Sequence, residues 1–214
     1  MDNKPSFDVR LKCPLVAQII GPTQSGKTSL ILNCLTHASD IFDTVFTKIY
    51  CIYSVYDPRF EKYPHVTFIQ NVDPDLCSPE NLDERPILVI YDDVLEQLGE
   101  STVNLVLKGS HHYNVSVFLV QQSLYYKGFK HMRTISINCM YIFYLKSARD
   151  KLNVRMLGQS IFPNKLSYFL DAYNDATRAP LSFLFIDCHN DTDDSLRLRS
   201  GLFPNEELCV YLPK

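Results

Sequence analysis

The chain has 214 residues, 46% of them hydrophobic, with 12 prolines and 13 each of tyrosine and phenylalanine, and this is enough apolar material for one buried globular domain spanning 1–214. A formal net charge of -3, from 21 Lys and Arg against 24 Asp and Glu, excludes a globally basic nucleic-acid binder, so any nucleic acid would have to be held by a local basic patch. No run approaches the roughly 18 apolar residues of a membrane span, and the start MDNKPSFDVRLK lacks the basic-then-apolar order of a secretory signal, so the expectation is a soluble, intracellular protein that requires no membrane.

Taken in chain order, short β-branched or aromatic runs at Leu15 to Ile20, Ile49 to Ser54, Ile87 to Tyr91, Val115 to Val120, Met140 to Leu145 and Phe183 to Ile186 predict strands buried on both faces of a parallel sheet. A shorter VTFI at 66–69 predicts an edge strand. Between them, Leu30, Ile31, Cys34, Leu35 and Ala38, and later Leu166, Phe169, Leu170 and Tyr173, carry helical spacing. Strand and helix alternate, which gives βαβ units with right-handed crossovers and an α/β fold, a mostly parallel sheet with helices on both faces. The polar, proline-rich VDPDLCSPENLDERP, 72–86, predicts a surface loop. The seven cysteines, Cys13, Cys34, Cys51, Cys77, Cys139, Cys188 and Cys209, are odd in number and never in CxxC spacing, which argues against a disulfide framework or a zinc site and for small buried hydrophobes.

The stretch IIGPTQSGKTSLIL, 19–32, carries the first chemistry. Gly21, Gly26, Lys27 and Thr28 match G-x-x-x-x-G-K-[ST] in full, with an apolar strand before and an amphipathic helix after, and chance would produce the four fixed positions in about one such chain in a hundred or fewer. In such a loop, here Gly21, Pro22, Thr23, Gln24, Ser25 and Gly26 leading into Lys27, Thr28 and Ser29, the glycines let backbone N–H groups turn inward onto phosphate oxygens at a helix N-terminus. Lys27 would reach the β and γ phosphates and the Thr28 hydroxyl would ligate Mg2+. The pattern alone leaves ATP and GTP open.

A phosphate loop needs a carboxylate at the end of a neighbouring apolar strand to hold the metal. ILVIYDDV supplies Asp92, and Asp93 stands next to it as a candidate base for the attacking water. Further on, VSVFLV runs into Gln121 and Gln122, an amide tip able to sense a γ phosphate or orient water.

The ordered set GPTQSGKTS, VIYDDV, KGSHHYNVSVFLVQQS, RTISINCMYIFYLKSARD and FLDAYNDAT resembles the FtsK/HerA superfamily of P-loop ATPases, and most closely the A32-like genome-packaging ATPases of Maverick/Polinton elements, adintoviruses and related large DNA viruses. The resemblance runs from about Leu15 to Lys214 and implies an ASCE/RecA-like fold, ATP with Mg2+, and an oligomeric ring that drives double-stranded DNA into a preformed capsid, with capsid or portal vertex proteins as partners. It implies a host nucleus, a cytoplasmic assembly site or the virion as the location. On the matching positions, Gly21 to Thr28 are the Walker A loop, Asp92 the Walker B magnesium residue, Asp93 the place usually held by a catalytic Glu, and Gln122 the sensor.

Two departures stand out. Asp for Glu at 93 shortens the reach by one methylene, and Tyr113 occupies a place where the family often has a basic residue. That leaves the arginine supplied to a neighbour's site open between Arg133 and Arg149. The stretch YYKGFKHMR, 125–133, offers Lys127, Lys130 and Arg133 as DNA contacts in such a ring. Two other functions remain to be weighed: a nucleoside or nucleotide kinase, although the zinc-binding CxxC of the thymidine kinases is missing here, and a transposon-derived protein that binds ATP and oligomerises without turnover.

Overall fold

A computed structural model describes residues 8–73, 85–109, 112–125 and 130–213. Nine strands build its sheet: β1 (Val16–Ile20), β2 (Lys48–Tyr53), β3 (Val66–Gln70), β4 (Ile87–Asp92), β5 (Val115–Gln121), β6 (Tyr141–Leu145), β7 (Phe183–Asp187), β8 (Leu198–Ser200) and β9 (Cys209–Val210). Their order is β3-β2-β4-β5-β1-β6-β7-β8-β9. The first six in that order run parallel, and VTFI is the edge strand that its short length suggested. Every residue of β1, β4, β5 and β6 is buried, as strands covered on both faces must be.

One face is covered by α1 (Lys27–Thr36), whose Leu30, Ile31, Cys34 and Leu35 pack on Ala17, Ile19, Ile90, Phe118 and Phe143. The short α2 (Ala38–Ile41) follows at once. On the other face, α3 (Glu100–Asn104), continued by a π turn over Leu105–Gly109, and α4 (Met132–Ile137) cover Val89, Tyr91, Val117 and Leu119. Farther along that face α5 (Lys151–Ile161) and α6 (Leu166–Ala176) bury Val154, Leu157, Phe169 and Tyr173 over Ile142, Tyr144, Leu184 and Ile186. The fold is an α/β P-loop NTPase fold; the strand and helix alternation anticipated the mostly parallel sheet with helices on both faces, and the loop motif with the family resemblance anticipated the P-loop class.

The sheet departs from that expectation at one end. The run at Phe183 to Ile186 is a buried strand, but it pairs antiparallel with β6, Leu145 opposite Phe183. The two 11-residue helices α5 and α6 between β6 and β7 bring the chain back to the edge where β6 ended, so β7 starts with Phe183 opposite Leu145 and runs the other way. β8 and β9 extend the antiparallel edge and were not anticipated. Of the surface loop expected at 72–86, residues 74–84 lie outside the described part. Among the cysteines, Cys34, Cys51 and Cys139 are buried as expected, Cys209 is exposed, and Cys77 lies outside the described residues.

Register sets the functional edge. Ile20 at the end of β1 lies beside Gln121 and Tyr144, and Asp92 at the end of β4 lies beside Val120 and Tyr53. The carboxyl ends of β1, β2, β4 and β5 therefore finish together, where open α/β sheets hold their ligands.

Candidate nucleotide-binding site

The loop after β1 bends through two left-handed positions, Gln24 at φ 63° and Gly26 at φ 102°. Gly26 also accepts, on its carbonyl, the first α1 hydrogen bond, from Leu30 N–H at 2.8 Å. A Cβ there would meet Leu181 Cδ2 at 2.6 Å and demand an unfavourable φ, so this position requires glycine. Gly21 is held by its N–H, which donates to the Gln121 carbonyl at 3.1 Å, and a Cβ on it would strike Ser25 and Leu145.

Lys27 folds back over the loop. Its Nζ donates to the carbonyls of Gly21 at 2.9 Å and Pro22 at 3.1 Å. Burial pushes its pKa down, opposed by the charges of Asp93 and Asp92. The Thr28 hydroxyl donates to Asp92 Oδ2 at 3.1 Å, so the first turn of α1 and the end of β4 meet. Asp92 is 7% exposed, and burial pushes its carboxyl from 3.8 up to about 6; the Thr28 hydrogen bond pulls it down and the neighbouring Asp93 pushes it up. A hydroxyl and a carboxylate at this separation are hard oxygen donors suited to Mg2+.

Asp93 leaves the strand at φ 56° with its N–H on the Val120 carbonyl at 3.2 Å, which turns its carboxylate outward. There it accepts from Gln122 Nε2 at 3.2 Å. Strand alternation sends the adjacent Gln121 to the opposite face, fully buried, with neither amide atom paired among the described residues. Of the two glutamines, Gln122 is thus the one at the site.

Thr23, Gln24, Gly26, Lys27, Thr28, Ser29, Asp92 and Asp93 line a cavity of about 450 Å³, within the range of about 300–1,000 Å³ usual for small-molecule sites, and Gln122 lines the adjoining cavity that shares Asp93. Four further lining residues had no signal in the sequence. Ser54 and Val55 line it just past β2, Arg59 reaches it from a 3₁₀ turn at Pro58–Lys62, and Leu181 closes it from the loop before β7. A lone arginine behind a proline reads as an ordinary turn, and Leu181 arrives only because β7 is reversed.

Other candidates stand apart from the cavity. Arg133 on α4 and Arg149 before α5 are exposed and make no ion pair with the described residues. Lys130 pairs with Glu100 at 3.0 Å, both side chains mostly exposed. Lys127 lies outside the described residues. Ser25 is part of the loop, its Oγ buried without a partner among the described residues.

The fold and loop define a P-loop NTPase architecture, with β5 lying between β1, which leads into the loop, and β4, which ends in Asp92. Among solved structures, the chain is similar to the genome packaging NTPase B204 from Sulfolobus turreted icosahedral virus 2 in complex with ATP-gammaS, with TM-score 0.51 and 12% identity over 93% of this chain and 97% of that one. It is also similar to the cytoplasmic domain of the Thermomonospora curvata Type VII secretion ATPase EccC, with TM-score 0.56 and 16% identity over 89% of this chain but 26% of that one. No protein-family model and no curated protein matches the sequence.

Proposed function

We propose that the protein is an ATP-hydrolysing motor, assembled as a homo-oligomeric ring, that drives double-stranded DNA into a viral or virus-like capsid. The observation that carries the hydrolytic half is the joining of Thr28 to Asp92 at 3.1 Å beside Lys27, with Asp93 and Gln122 paired at the adjacent strand ends. Loop N–H groups hold the phosphate chain, and Lys27 exchanges its carbonyl partners for phosphate oxygens. Thr28 and Asp92 would hold Mg2+, which would supply neutralisation of the charge on the phosphates. Asp93 takes the proton of the attacking water, which Gln122 orients, and the bond between the β–γ bridging oxygen and the terminal phosphorus breaks in line.

The DNA half is supported by the ordered motifs shared with the packaging ATPases and by the fold likeness to a genome packaging NTPase across nearly the full length of both chains. Phosphate release measured with and without linear double-stranded DNA, alongside thymidine phosphorylation, tests it. Release stimulated by DNA and abolished in Lys27→Ala is expected, and phosphorylated thymidine would favour a kinase instead.

A further inference from the structure

Among the described residues the cavity is lined by two cationic side chains, Lys27 and Arg59, and only the first belongs to the loop motif. Arg59 comes from the connection between β2 and β3. Tyr53, the last residue of β2, is in register with Asp92, so the chain leaves the sheet directly beside the metal carboxylate and returns over α1. There Arg59 Nη1 donates to Ser29 Oγ at 2.8 Å, on the residue after the metal-ligating Thr28. Its other side is gripped by Asp57, whose carboxylate accepts from Nε at 3.0 Å and Nη2 at 2.6 Å while also capping the turn through Arg59 N–H at 2.9 Å.

This grip has a chemical consequence. A guanidinium carries five N–H donors in a rigid fork, and the hydrogen bonds to Asp57 and Ser29 engage three of them. Two remain without a partner among the described residues, on a side chain 45% exposed that lines the cavity. The Asp57 pair fixes the fork without filling it, so ligand binding need not break the ion pair.

Resting on the nucleotide-site reading above, we propose that Arg59 is a phosphate-contacting residue supplied within the same subunit, held by Asp57 and directed at the metal-bound, terminal end of the triphosphate. Arg59 shares the cavity lining with Asp92 and is bonded to the residue after Thr28, on the side of the pocket where Thr28 and Asp92 would hold the metal. It gives the subunit a means of telling the two nucleotides apart before any neighbour contributes an arginine.

Calorimetric titration of the full chain with ATP-gammaS and with ADP, each with Mg2+, tests this on wild type, Arg59→Ala, Arg59→Lys and Lys27→Ala, each checked for an unchanged thermal midpoint. Arg59→Ala should weaken ATP-gammaS about tenfold or more, as expected for a lost charge-assisted hydrogen bond, while ADP stays within about threefold. Arg59→Lys keeps the charge without the fork and should fall between. Unchanged ATP-gammaS affinity in Arg59→Ala, or an equal loss for ADP, overturns the assignment; should Arg59→Ala not fold, wild-type affinity and ATP/ADP discrimination in Arg59→Lys would overturn it. If Lys27→Ala also binds ATP-gammaS like wild type, the nucleotide site itself is wrong; if only Lys27→Ala loses binding, the site stands and the Arg59 assignment falls.

Discussion

At the scale of single residues, the proposed function gives Asp93 and Gln122 a part in turnover rather than in binding. Their contact lies beyond the Thr28 and Asp92 pair, so Asp93→Asn should keep nucleotide affinity and lower kcat by about 10²–10⁴, the usual worth of a general base. Steady-state phosphate release together with equilibrium binding checks it. Asp92 makes the site sensitive to pH. Its folded pKa, about 6, stands above its ordinary 3.8, so the folded chain holds that proton through the intervening window. The sign follows: stability of the ligand-free protein falls as pH rises through that window, while Mg2+ affinity rises, because the metal needs the carboxylate. Titrations with Mg2+ and nucleotide at pH 5 and pH 7 should show weaker binding at the lower value, and equal affinity would contradict this role for Asp92. The loop and Asp92 were legible because each depends on a local pattern, a fixed spacing or an acid ending an apolar strand. Arg59 was not, because its place depends on the register of β2 against β4.

At the scale of elements, the strand and helix alternation was readable wherever an apolar run was long enough to show a period. The antiparallel edge was hidden because strand direction depends on the end of the sheet to which the connecting helices return the chain, and β8 and β9, at three and two residues, are too short to carry any period. The α5 and α6 hairpin that reverses β7 hinges on Gly158, where a Cβ would run into the Phe169 ring. Gly158→Ala should cost about 1–3 kcal/mol by overpacking and lower the thermal midpoint by several degrees. A second element-level contact ties the end of β5 to α5. Asp150 accepts from the Tyr144 hydroxyl at 2.9 Å, Ser123 Oγ at 3.5 Å and Asn153, which fastens the segment after Gln122 to the loop that bears Arg149. Asp150→Ala leaves the Tyr144 hydroxyl without its partner and should destabilise the chain by about 1–3 kcal/mol in thermal or urea unfolding.

At the scale of the whole molecule, among the described residues no helix is long and apolar enough to cross a membrane. Arg133 and Arg149 are exposed away from the nucleotide cavity, the position required of a group that serves a neighbouring copy through a head-to-tail interface. If either acts in trans, its alanine variant should bind nucleotide normally yet release little phosphate, and mixing it with Lys27→Ala should restore part of the activity at hybrid interfaces. The most direct test of the motor is phosphate release by the purified protein with Mg2+ and ATP, measured together with oligomeric state as linear double-stranded DNA is added. An oligomer whose release rises with DNA and vanishes in Lys27→Ala is the predicted result, and a monomer that releases no phosphate with ATP and DNA present would contradict it.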